Sequence, residues 1–61
     1  MCELTVYTLK GGVREKVMES VVRLMVHDGK VILEGIFGDS MEVEGRISEV
    51  NIMSQSATII G

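Results

Sequence analysis

The stretch "SVVRLMVHDGKVILEGIF" constrains this chain more than any other. Two alternating apolar runs flank Asp28-Gly29, and Asp-Gly accepts positive φ at both central positions of a type I′ turn, whose twist suits a two-residue β-hairpin. Because successive side chains of a strand point to opposite faces, the pattern predicts a hairpin with Val22, Leu24 and Val26 facing inward beside Val31, Leu33 and Phe37.

The same period continues on both sides. "ELTVYTLK" sets Leu4, Val6 and Thr8 on one face and Thr5, Tyr7 and Leu9 on the other, and Gly11-Gly12 then turns the chain, since glycine reaches φ > 0 without a steric penalty. "VREKVMES" is short and runs at once into β-branched residues, so it reads as a short strand leading into a turn. Gly38-Asp39-Ser40 form the next turn, "MEVEGRISEVNIM" a further strand with a bulge or sharp bend at Gly45, and "SQS" turns into a last strand, "ATII". Proline is absent and no helix of useful length emerges. Six or seven short strands predict an all-β fold over residues 1–61 as one domain, a small bent antiparallel sheet or an SH3-like or Sm-like barrel. Such barrels host unrelated functions, so function has to be argued from a site.

A chain of 61 residues folding alone hides only about 60% of its unfolded surface. Yet 46% of the residues are hydrophobic, nearly all aliphatic, with Tyr7 and Phe37 as the only aromatics. That is more aliphatic surface than a small monomer comfortably buries, and a homodimer is the natural remedy. The net charge of −3, with scattered basic residues, makes phosphate backbones poor partners. One cysteine excludes an intrachain disulfide and fits a reducing compartment. "MCELTVYTLK" lacks the basic and apolar regions of a signal peptide, and no apolar stretch approaches the 18 or so residues of a membrane span. The expectation is a cytoplasmic protein.

Most catalytic readings fail quickly. There is one histidine, no second cysteine and no phosphate-cradling motif, and nothing pairs a nucleophile with a general base, so an enzyme is not expected. His27, one residue before the Asp28-Gly29 turn, reads as a solvated hairpin residue or an auxiliary metal ligand. Glu42 and Glu44 share one solvent face at period two, and with Glu49 they suggest a carboxylate site only by count. Met18, Met25, Met41 and Met53 read as adaptable packing rather than soft ligands.

Cys2 differs through its neighbours. The Met1 amine, the deprotonated Cys2 amide and the Cys2 thiolate lie in order along the chain and close two five-membered chelate rings around a metal. With Met1 removed, the new amine and the thiolate close one. Nitrogen and sulfur donors in a plane suit Ni(II) or Cu(II) rather than Mg²⁺ or Ca²⁺, and a two-fold pair of chains offers two such sets at one shared site. The alternative is that Cys2 is simply a small apolar residue opening the first strand. The residues by themselves leave both open.

The ordered set "MCE", "VYTL", "VMESVVRL", "DGKVILEGIFG" and "VEGRISEVNI", spanning essentially the whole chain, resembles the CooT family, small nickel-binding accessory proteins of carbon monoxide dehydrogenase maturation. Family members often carry an acidic residue before the Ile-Phe-Gly segment, where this chain has Gly35. The resemblance implies a mainly β homodimer that binds Ni(II) through the cysteine after the initiator Met, here Cys2, with Met1 as an amine or amide contributor, and that supplies or buffers nickel for carbon monoxide dehydrogenase or a related nickel enzyme. The competing reading is an Sm-like RNA-binding module, which would want stacking aromatics and a basic groove.

Overall fold

Asp28 and Gly29 take φ values of 49° and 72°, and His27 pairs with Lys30 across them, so the hairpin closes through the predicted two-residue turn. The computed structural model describes residues 3–61; Met1 and Cys2, the expected metal ligands, lie outside the described residues. Six strands follow one another: β1 (Leu4–Lys10), β2 (Val13–His27), β3 (Lys30–Gly35), β4 (Ser40–Glu44), β5 (Arg46–Asn51) and β6 (Ser56–Ile60). The all-β expectation holds.

"VREKVMES" does not end in a turn. It runs into the hairpin strand to make β2 one strand of 15 residues. The turn expected at its end survives as a bend, with Ser20 at a φ of 56°. Residues 13–18 pair with β1, residues 23–27 pair with β3, and Val21 pairs with both. β2 thus belongs to both halves of the sheet and folds one over the other.

The inward face of the hairpin follows the sequence pattern at Leu24, Val31 and Leu33 and departs from it at Val22. Val21 pairs with Gly35 while Arg23 pairs with Glu34, which makes Val22 the extra residue of a β-bulge. Val21 therefore turns inward and is fully buried, whereas Val22 is 45% exposed. Val26 shares the face of its partner Val31, but at the hairpin tip nothing packs over it and it stays exposed. Phe37 falls beyond the end of β3, in the turn to β4, and is 89% exposed rather than inward.

The strand order is β4-β3-β2-β1-β6-β5. Every pairing is antiparallel except β1 with β6, which lie parallel, Thr5 opposite Ser56 and Leu9 opposite Ile60. The sheet is therefore mixed, and it is not closed into a barrel. Its two edge strands are consecutive in the chain, joined through Gly45 alone, whose φ of 131° suits only glycine. Val6, Val21, Val31, Leu33, Val43, Ala57 and Ile59, drawn from five strands, form one buried cluster where the folded sheet faces itself. Mostly Val and Ile, they match the β-branched preference of a pleated, buried surface.

Candidate functional site

The start of β1 sits at one end of the sheet, and the pairings show what else gathers there. Leu4 lies opposite Val21, at the bend of β2. Val21 in turn lies opposite Gly35, the last residue of β3. On the other flank the Thr5 amide donates to the Gln55 carbonyl at 2.9 Å, just before β6. Two turns therefore flank the point where the chain enters the sheet. One carries Ile36 and Phe37, and its Ile36 amide donates to the Ser20 carbonyl at 2.9 Å. The other carries Ile52 and Met53.

That second turn was expected to be strand. Asn51 ends β5 instead: its side-chain oxygen accepts a hydrogen bond from the Ser54 amide at 3.1 Å, a local alternative to the ladder. Ile52 and Met53 are left at the turn, 78% and 97% exposed, so Met53 does not serve as packing within the chain. Exposed aliphatic residues gathered at one end of so small a fold are unusual for a surface that faces only water. The Ser54 and Ser56 hydroxyls hydrogen-bond each other at 2.8 Å in the same region.

His27 lies at the other end. It stands next to the turn residue Gly29, whose carbonyl accepts from the Gly45 amide at 3.0 Å. Gly45 packs against the Ile60 carbonyl, and Ile60 pairs with Leu9 near the far end of β1. A strand of seven residues spans roughly 20 Å, which separates His27 from the start of β1. Its imidazole Nε2 instead lies 3.1 Å from the Asp28 carboxylate, with both side chains exposed. Among the described residues, no three His, Cys, Asp or Glu side chains converge on a common point.

Tyr7 and Phe37 do not form a stacking platform. Tyr7 is covered by the Arg14 guanidinium, 3.8 Å from the ring centroid, on the face of β1 that lines an open groove of about 590 Å³. Phe37 lies in the turn beyond β3. The groove is walled by hydroxyl and amide side chains, including Ser48, Asn51 and Thr58, with the charged groups of Arg14 and Glu49 beside them. Glu42 and Glu44 are exposed on β4, and Glu49 is on β5 at the other edge of the sheet. The three carboxylates do not make one site.

Residues 1–60 match the family described as "CO dehydrogenase accessory protein CooT". The chain belongs to the CooT family. Its structure is similar to the crystal structure assigned as CooT from Carboxydothermus hydrogenoformans, with a TM-score of 0.87 over 97% of this chain and 95% of that one, at 22% sequence identity. At that identity the likeness speaks for the fold. A comparison with curated proteins gives no match.

In this CooT chain the feature that sequence reasoning missed is the apolar end of the sheet. The signal was present in "NIMSQS", where an Ile-Met pair stands immediately before a cluster of turn-forming residues. No helix in the described residues is long and apolar enough to cross a membrane.

Proposed function

We propose that this CooT-family chain binds Ni(II) through the Cys2 thiolate and the neighbouring backbone nitrogens, acts as a cytoplasmic homodimer, and supplies or buffers nickel for CO dehydrogenase or a related nickel enzyme. The observation that carries the reading is the match to the CO dehydrogenase accessory family over residues 1–60, a span that includes Cys2.

Nickel is the cargo here, and the donor chemistry suits it. A thiolate with amine or amide nitrogens, Met1 contributing one, gives a planar strong-field set. The exposed Ile36, Phe37, Ile52 and Met53 support the dimer, since they cluster at the end of the sheet where β1 begins. A second copy docking there would cover that apolar surface and bring two N-terminal segments together.

The test is a titration of the reduced protein with Ni(II), followed by native mass spectrometry. Thiolate-to-nickel charge-transfer absorption that Cys2→Ser abolishes, together with a nickel-loaded dimer, is the expected result. Absorption that survives Cys2→Ser would remove the proposed ligand.

A further inference from the structure

We propose that the free edge of β4, with the groove beside it, is a docking site for an extended segment of another protein in which apolar and basic residues alternate, added to the sheet as an antiparallel strand. The site is separate from Cys2 and does not rest on nickel binding.

β4 pairs with β3 alone and forms one edge of the sheet. The hydrogen bonds of Gly45 to Gly29 and of Gly35 to Asp39 lie in the same register as the β3–β4 pairs. In an antiparallel ladder such bonded pairs alternate with non-bonded ones. Val31 with Val43 and Leu33 with Met41 are therefore the bonded pairs. The N–H and C=O groups of Ser40 and Glu42 point away from β3, available to an incoming strand.

Beside this edge runs an open groove of about 500 Å³. Its wall across from β4 is the β1–β2 hairpin, whose Val13 is 58% exposed, with Val17 beyond it; on β4 the wall is Met41, 42% exposed, and Val43. A strand added to β4 would lie over these residues, so its side chains on that face should be apolar. Side chains on the opposite face would stand beside Glu42 and Glu44, and cross-strand neighbours of opposite charge stabilise such a pair. Glu15 adds a third carboxylate to the groove against one cation, Lys10. Lys30 lies 3.4 Å from Glu42, while Glu15 and Glu44 have no ion-pair partner among the described residues.

Charge also selects against a second copy. Two β4 edges paired about a two-fold axis would set Glu42 against Glu42 or Glu44 of the second copy, and like charges in cross-strand positions are destabilising. Edge carboxylates that keep identical chains apart admit a basic strand, which is specificity by repulsion as well as attraction.

The test uses the metal-free protein and a blocked seven-residue peptide alternating lysine and valine, followed by amide chemical shifts. Saturable shifts confined to Ser40–Glu44 and Val13–Val17 are expected. N-methylation of the lysines, whose amides face β4 in this pairing, should abolish them, and a glutamate-valine peptide should give none. Glu42→Lys combined with Glu44→Lys, both at exposed positions, should weaken binding by about tenfold. Absence of saturable shifts at β4, equal binding of the glutamate or N-methylated peptide, or undiminished binding by the double variant would each overturn the proposal.

Discussion

The Ile36 amide donates to the Ser20 carbonyl at 2.9 Å, so the turn that carries Phe37 is tied to the one residue of β2 with a left-handed backbone, at a φ of 56°. That conformation lets a single strand serve both halves of the folded sheet. A β-branched residue tolerates it poorly. Ser20→Val should cost about 2 kcal/mol, whereas Ser20→Gly should stay within about 1 kcal/mol of the parent, its relief of strain offset by a more flexible unfolded chain. Denaturant melts of both variants check the order, and equal stability of the two would remove the bend from the account.

The joint between the edge strands makes a sharper case. A Cβ on Gly45 would run into the Ile60 carbonyl, while one on Gly29 meets nothing within 4 Å; both residues have positive φ, 131° and 72°. Gly29→Ala should therefore lose only the conformational term, about 1 kcal/mol. Gly45→Ala adds a clash with backbone that cannot swing aside, and about 3 kcal/mol is expected. For a fold whose whole stability is on the order of 3–9 kcal/mol, that leaves Gly45→Ala partly unfolded near 37 °C, measurable by thermal melting.

What was legible in advance was local. Asp28-Gly29 announced its turn because the required φ values are a property of the two residues themselves. The phase error at Val21 and Val22 has another origin. The bulge arises where β2 passes from pairing with Gly35 to pairing with Glu34, and period-two alternation cannot register an inserted residue. The parallel pairing of β1 with β6 joins the two ends of the chain, and nothing in short turns discloses it. At the candidate site, Cys2 was conspicuous for its position in the sequence. The apolar turns beside the entry of β1 became visible only once hydrogen bonds at Ser20 and Gln55 placed them there.

Phe37 and Met53, 89% and 97% exposed, contribute almost nothing to the fold of a single chain. Replacing both with glutamate should change the stability of a single chain by no more than about 1 kcal/mol, since substitutions at such positions usually lie within about 0.5 kcal/mol each. If these residues form the face on which two copies meet, the same change buries charge in an apolar contact and should shift sedimentation from dimer to monomer. Leu33→Ala is the opposite control. It opens a cavity in the core where Leu33 is fully buried, and should cost roughly 3 kcal/mol by a route independent of association.

The proposed nickel binding by Cys2 carries a pH signature of its own. Thiol, amide and amine donors all release protons when they ligate, so affinity should fall steeply as pH is lowered below neutrality. His27 stands at the other end of the sheet, beside Asp28, and its imidazole is the second candidate donor to a nickel ion. The two sources are separable by substitution. His27→Ala should change nickel affinity by less than about twofold and leave the pH profile superimposable on that of the parent, while Cys2→Ser removes the affinity throughout. Isothermal titration of the three proteins between pH 6 and 8 measures both effects. A His27→Ala profile flattened across that range would make the imidazole a ligand, and because His27 is far from the start of β1 in its own protomer, it would have to reach the site from a second chain.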